Sequence, residues 1–460
     1  GDASVPDEYL VDPAIDTLLL MMEEKGVYLH KTGEHPSGVV GAGNVVIIKG
    51  NFQWTSRNTT STDRIKGLIW RILQHPDGFS GEILICDNTQ DIGTGIGEND
   101  NNSEDEEQSI PDVVGTFYAK GYPVYYWDWS YMWDLVVDEY SDGDYADGYV
   151  YEMETKISYP KFRSPSGGYY ISLRHGVWDS TSAAYDSSRI CIIDFPVLKA
   201  HSMAGSTIAI KNWIGMLTTA YADDRYGGFT AMHYDYLFGD YALVAKVMEV
   251  TYPRLVILDA AWTSTRDAYV LSDLVNTKML LASKDPSAVS WYSAKFILTP
   301  IARFPQWTNP DVPGGKYNSN LTSWTTYLRE AGFPCTRDSS EMSVYDREVL
   351  NPTHVDSPPG TKIVKSFRLH QNYPNPFNPK TTISFELPGA VGYRQHVSLS
   401  ITDLRGRHVR KLLDTELEAG SHKVVWDGRD EMGLPVASGI YFYTFRSGEK
   451  GVTRKMSIIK

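Results

Sequence analysis

Asn44-Val45-Val46-Ile47-Ile48-Lys49, the segment 62–74, and Glu82-Ile83-Leu84-Ile85-Cys86 decide the fold. The first and third are short apolar runs rich in branched residues, the composition of strands buried on both faces. Between them Ile65, Leu68, Ile69 and Ile72 recur at helical spacing. Strand, helix, strand in that order predicts a parallel βαβ unit. Outward from it, residues 13–25 have Leu18, Leu19 and Met22 on one helical face. Segments 189–194 and 254–258 are further strand-like runs, with a helical segment at 241–250 before the second. Residues 274–283, Asp285-Pro286 and 288–298 give strand, turn and helix. Residues 1–350 are therefore expected to form an α/β body with a mostly parallel sheet.

Two segments, 98–107 (acidic, Asn-rich) and 122–159 (dense in Tyr, Trp and Asp), are expected to be surface insertions. Residues 351–365, with Pro352, Pro358, Pro359 and Gly360, form a linker. From 366 to 460 the pattern changes to alternation at period two, as in Val397-Ser398-Leu399-Ser400-Ile401 and His422-Lys423-Val424-Val425-Trp426. Asp403-Leu404-Arg405-Gly406, Glu418-Ala419-Gly420 and Asp427-Gly428-Arg429-Asp430 punctuate it. Such strands are buried on one face, and together they predict a small antiparallel sandwich with Trp426 as core anchor.

The tail opens with Gln371-Asn372-Tyr373-Pro374-Asn375-Pro376-Phe377-Asn378-Pro379, carries Asp427-Gly428 after Trp426, and ends through Gly439-Ile440-Tyr441-Phe442-Tyr443. Over about 367–460 it closely resembles the C-terminal sorting domain of the bacterial type IX secretion pathway, which has the immunoglobulin-like fold of the flagellar hook cap. The resemblance implies an immunoglobulin-like sandwich, export across the outer membrane to the cell surface or medium, and the export machinery as a partner.

The body carries Ile47-Ile48-Lys49-Gly50-Asn51, Phe195-Pro196-Val197-Leu198-Lys199-Ala200-His201-Ser202, Thr207-Ile208-Ala209-Ile210-Lys211-Asn212-Trp213-Ile214-Gly215 and Ala282-Ser283-Lys284-Asp285-Pro286-Ser287-Ala288-Val289. Over about 40–300 it resembles the domain of unknown function 362 family, a family with no firmly established activity. Many members carry cysteine-ligated clusters, which this chain lacks. It also departs from the family at Gly50, at Ser290 and across Ala260-Ala261-Trp262-Thr263.

Composition sets limits. Hydrophobic residues make up 42% of 460, enough for a sizeable core, and no apolar run reaches the roughly 18 residues of a membrane span. The chain opens Gly1-Asp2-Ala3, as expected of a mature terminus after signal cleavage. Thirty Tyr and 12 Trp suit either wet interfaces or β-rich cores. Cys86 and Cys191 lie in apolar runs as buried hydrophobes; with Cys335 they make no disulfide framework and no Cys-x-x-Cys. A net charge of −14 argues against nucleic acid as a partner. That charge is split: residues 366–460 hold 14 Lys and Arg against 9 Asp and Glu, a net of +5, and the remainder 29 against 48, a net of −19.

Lys49, Asn51, Lys199, His201, Lys211 and Asn212 are expected at or just beyond strand ends. The carboxyl ends of parallel strands form ligand crevices, so these six make a candidate anion site with His201 as candidate acid or base. The competing reading is that they cap helices and satisfy loop carbonyls. Asp138, Asp142, Asp144 and Asp147, with Gly143 and Gly148, miss the calcium-loop pattern by one residue. Calcium is the one cofactor considered, against a solvated acidic turn. Gly93-x-Gly95-x-Gly97 is a weak phosphate-cradle signal, and Asn58, Asn101 and Asn320 begin glycosylation triplets. Two functions remain. One is a secreted structural protein that self-assembles head to tail into filaments through its sandwich. The other is an extracellular enzyme or binding protein for a small anionic ligand at the Lys/His crevice.

Overall fold

The computed structural model describes residues 7–53, 57, 59–89, 96, 108–218, 227, 232–267, 273–347, 368–369, 372, 377, 379–387, 394–418, 420–448 and 450–458. The 98–107 loop, the Gly93–Gly97 pattern, the 351–365 linker, Tyr373–Pro376, Asn58 and Asn101 lie outside them. The chain divides into two compact units, Gly1–Asn351 and Pro352–Lys460.

In the body, β1 (His30–Lys31) and β2 (Val40–Gly41) form a short parallel pair. The main sheet is eight-stranded. It contains β3 (Val45–Lys49), β4 (Glu82–Asp87), β5 (Val124–Asp128), β11 (Ile190–Asp194), β12 (Val197–His201), β13 (Gly205–Thr207), β14 (Leu255–Ser264) and β15 (Leu274–Ser283). The order is β13-β12-β14-β11-β3-β4-β5, with β15 also on β14. The pairs from β12 to β5 are parallel, and β13 and β15 run antiparallel to their neighbours. The expected βαβ unit is β3, α2 (Thr62–Leu73) and β4, paired in parallel from Val45↔Glu82 to Lys49↔Cys86.

Alternation places successive side chains on opposite faces of the sheet. Val46, Ile48, Ile83, Ile85, Cys191 and Ile193 pack beneath α1 (Pro13–Glu24), α2 and α3 (Ile110–Ala119). Val45, Ile47, Leu84, Cys86, Ile190 and Ile192 face the other core. That core includes α4 (Ala209–Asn212), α5 (Leu243–Val250), α6 (Pro286–Ser293) and α7 (Lys316–Glu330). Caps fix the helix starts. Asp12 accepts from the Ile15 N–H at 2.8 Å, Ser109 and Asp112 form a capping box, and Asp285 accepts from Ser287 and Ala288.

Segment 122–159 is not a surface insertion. Its first part is β5, an edge strand of the main sheet, followed by Trp129, which is fully buried. Its last part enters a five-stranded antiparallel sheet of β6 (Gly148–Tyr151), β7 (Ser158–Arg163), β8 (Tyr170–Ser172), β9 (Gly176–Asp179) and β10 (Ala184–Asp186). Tyr149, Tyr159 and Phe162 carry that sheet into the second core. Aromatic density here marks core, because large rings fill the space between two sheets. Asn320 is likewise not an open sequon. It is buried in α7, and its Nδ2 donates to the Ala204 carbonyl at 3.1 Å.

The tail is an all-β sandwich. One sheet holds β16 (Arg368–Leu369), β17 (Thr381–Leu387) and β20 (Gly420–Trp426). The other holds β18 (Arg394–Asp403), β19 (His408–Glu418), β21 (Gly439–Ser447) and β22 (Lys450–Ile458). Every ladder in it is antiparallel. Trp426 is fully buried, 5.5 Å from Phe377 and 5.6 Å from Tyr441 between ring centres. Its indole N–H donates to the Arg429 carbonyl at 2.9 Å. No helix among the described residues is long and apolar enough to cross a membrane.

Candidate functional site: charged groups at the ends of the parallel strands

Three strands of the sheet end on an aspartate, Asp194 in β11, Asp87 in β4 and Asp128 in β5, and β14 carries Asp259 at mid-strand. Between β11 and β4, β3 ends instead in Lys49, with Asp194 opposite it in register. The signal was present in the sequence as apolar runs closing on Asp, in Ile85-Cys86-Asp87, Ile192-Ile193-Asp194 and Ile257-Leu258-Asp259. Periodicity alone treats those residues as boundaries, so they were missed.

Lys49 is fully buried, and its Nζ donates to Asp87 Oδ1 at 2.7 Å and to the Gly50 carbonyl at 2.9 Å. Asp87 also accepts from the backbone N–H groups of Phe52 and Asn88. Burial raises the Asp87 carboxyl above its ordinary value, and the Lys49 charge opposes that rise. Gly215, the last residue of the Lys-Asn-x-x-Gly motif, lies against this pair. A Cβ there would stand 2.4 Å from Asp87 Oδ1 and 2.8 Å from Lys49 Nζ.

A hydrogen-bonded chain runs beside the pair, all in one direction. Lys199 Nζ donates to Asn51 Oδ1 at 2.7 Å. Asn51 Nδ2 donates to Asn212 Oδ1 at 3.0 Å, and Asn212 Nδ2 to Asp194 Oδ1 at 2.7 Å and the Gly50 carbonyl at 3.2 Å. An ammonium is thus joined to a carboxyl through two amides. The second carboxyl oxygen of Asp194 is buried with no hydrogen-bond partner. Burial pushes the Asp194 carboxyl up to about 7, against the Lys49 charge and the Asn212 hydrogen bond.

Lys211 completes the group from the last turn of α4, a one-turn helix where the sequence suggested a strand end. The extended run stops at Thr207, and Ile208 leads directly into the helix. Lys211 is only 6% exposed, yet no described residue accepts a hydrogen bond from its ammonium. Burial lowers it to about 8; Lys49 adds to the effect, and Asp267 opposes it. Lys199, 2% exposed, is lowered by burial to about 7, with Lys211 the next cause. Five of the six predicted residues therefore share one neighbourhood. His201 ends β12, two residues beyond Lys199, and its Nδ1 accepts from the Met203 and Ala204 N–H groups at 3.2 and 3.3 Å. That tie belongs to the β12–β13 turn.

The acidic run at 138–147 is not built as a calcium loop. A lysine ammonium occupies its centre: Lys161 Nζ donates to the carbonyls of Asp138 at 2.5 Å and Asp144 at 2.7 Å. Asp144 turns its own carboxylate to the Asp138 and Ala146 N–H groups, Asp147 accepts from the Arg163 N–H, and Asp142 is exposed. Among the described residues no three His, Cys, Asp or Glu side chains converge as metal ligands.

Comparison with known proteins finds two domains. Residues 161–295 match a domain of unknown function (DUF362), a shorter span than the 40–300 of the sequence resemblance. Lys199, His201, Lys211 and Asn212 lie inside it, and Lys49 and Asn51 outside. Residues 374–450 match the FlgD Ig-like domain. No curated protein matches the chain. Among solved structures, dimeric latent PorU from Porphyromonas gingivalis is similar at 21% identity over 19% of this chain and 9% of its own, with a TM-score of 0.17. PorZ of the same organism, described as an essential surface component of the type IX secretion system, is similar at 25% identity over 20% and 11%, with a TM-score of 0.14. FlgD from P. aeruginosa is similar at 24% identity over 17% and 58%, with a TM-score of 0.14. The chain thus spans about a tenth of the length of the two Porphyromonas gingivalis proteins.

Proposed function

We propose that this chain is an exported, surface-associated or extracellular protein whose body binds a small anionic ligand at the strand-end lysines. The observation that carries the reading is Lys211. A largely buried lysine with no hydrogen-bond acceptor among the described residues, near Lys199 and Lys49, would be stabilised by an anion. A carboxylate or phosphate would supply the missing acceptor and offset the repulsion among the lysines. Lys49 and Asp87 would act as the rigid floor, and the two asparagines would hold Lys199 in place. Calorimetric titration with inorganic phosphate and with pyruvate, at pH 6.5 and 9.5, tests this. Binding at the lower pH that weakens at the higher, and is lost in Lys211→Met, is expected. No heat with either anion at either pH would sink it.

The tail is the export and attachment module on this reading. Its support is the antiparallel sandwich, the FlgD Ig-like match over 374–450, and the Gln371–Pro379 motif. Asn372 and Phe377 of that motif are buried in the sandwich, where the Asn372 N–H donates to the Tyr443 hydroxyl at 2.9 Å. In the native host, removing residues 366–460 should leave the body inside the outer membrane; undiminished release would refute the assignment.

A second reading, head-to-tail self-assembly, is favoured by the charge split of −19 on residues 1–365 against +5 on 366–460. A patch that binds a different patch on the next copy gives rings or filaments. Light scattering at low salt decides it: a monomer at all concentrations rules assembly out.

A further inference from the structure

The strand-end lysines are chemically unequal, and the difference points to a reaction. Lys49 is committed to the Asp87 carboxylate, and Lys199 to the Asn51 amide. Lys211 is the amine among the three with no described hydrogen-bond acceptor, and it lies in the last turn of the short α4 helix. We propose that Lys211 is an amine nucleophile that forms a Schiff base with a small 2-oxo carboxylate, the carboxylate being held by Lys199. This rests on the anion-site reading above and names its substrate class.

An amine attacks only as the free base. Lysine amines are activated by desolvation and by a neighbouring cation. Both are present here: Lys211 is largely buried, and the Lys49 ammonium acts on it electrostatically. Asp87 balances Lys49, and Asp267 is the opposing charge that acts on Lys211 itself. The loss of charge places its proton near pH 8, so a substantial fraction is free amine under mildly alkaline conditions. The lone pair of Nζ attacks the carbonyl carbon, a C–N bond forms, and the carbonyl π pair moves to oxygen. Two of the three ammonium protons end on that oxygen, which leaves as water. The product is a protonated imine that keeps the single positive charge of the starting ammonium, so no outside oxidant, reductant or acid is consumed. An adjacent carboxylate on the substrate meets Lys199, whose position is fixed through Asn51, Asn212 and Asp194.

The test uses the full chain, pyruvate and cyanoborohydride, followed by digestion and mass spectrometry. Expected is one reduced adduct on Lys211, at least tenfold over any surface lysine, with a yield that climbs between pH 7 and 8.5. Inorganic phosphate should suppress it by competition. The same treatment in 8 M urea should lose the selectivity, which controls for folding without any variant. Lys211→Arg should lose the adduct. If phosphate binds but Lys211 stays unmodified, the Schiff base is wrong and the anion site stands. If neither anion binds and nothing is trapped, both fail. Equal labelling of surface lysines in the folded protein also overturns the proposal.

Discussion

The two units bury different things. The sandwich core is a dry cluster that includes Ile383, Phe385, Leu399, Trp426, Tyr443 and Phe445, with Asn372 and Thr381 as its buried polar members. The body buries Lys49, Lys199, Lys211, Asp87, Asp194 and Asp259. An apolar core stabilises simply by removing area from water. A buried charge costs several kcal/mol before its partner offsets it. The sandwich is therefore explained by folding alone, whereas the body maintains an arrangement that hydrophobic residues of the same shape would stabilise as well. That contrast is an energetic one: the body buries charge that its fold does not require, and the tail does not.

The largest expected effect is on the body. Asp87→Ala leaves the Lys49 ammonium buried and unpaired, and removes the acceptor of the Phe52 and Asn88 N–H groups. A loss of about 3–5 kcal/mol is expected in urea unfolding of the body. Lys49→Met with Asp87→Leu should recover much of it, because both charges are gone. If the double change is as unstable as the single one, the pair does more than neutralise itself. In the tail the corresponding break is Trp426→Ala, about 3–5 kcal/mol from the cavity alone. Its transition should move while that of the body does not. A smaller loss, about 1–3 kcal/mol, is expected for Gly215→Ala, whose new methyl group would meet Asp87 and Lys49. Unchanged stability there would mean that the loop can move away from the pair.

How much of this was legible in the sequence depends on what each residue touches. The βαβ unit and the tail alternation were legible because burial of a face imposes a period. Lys49, Asn51, Lys199, Lys211 and Asn212 were found because they stand in the motifs that carry the family resemblance, at or just beyond expected strand ends. Asp87 and Asp194 sit in the same kind of position, but a terminal Asp also fits a turn or a cap. Lys161 was invisible, since its partners are the backbone carbonyls of Asp138 and Asp144, which no side-chain pattern records. The Tyr/Trp-rich segment was assigned to the surface because amphipathic rings suit either place. Only the second sheet, formed by residues more distant in sequence, decides for the core.

The smallest effect is also the most diagnostic of the contrast. Asp194 is held near 7 in the folded body, far above its ordinary 3.8. Between about pH 4 and 7 the native state keeps a proton that the unfolded chain has lost, so stability falls as pH rises through that window. The raised carboxyls of Asp87 and Asp259 act in the same direction. Lys199 near 7 and Lys211 near 8 act in the opposite sense. From there up to the ordinary lysine value of 10.5 the unfolded chain holds protons that the native state has released, so stability rises with pH. The body should therefore show a shallow minimum of melting temperature near pH 7. The transition of the tail, which has no buried lysine among its described residues, serves as an internal reference without the rising arm. Lys211→Met should flatten the alkaline arm and Asp194→Asn the acid arm. Saturating phosphate should deepen neither, because an anion on the lysines keeps them protonated and raises the melting point most near the minimum. A body transition that climbs steadily from pH 5 to 7 would show that these strand-end groups are not desolvated. The distinction between a charged site in the body and a dry core in the tail would then lose its energetic basis.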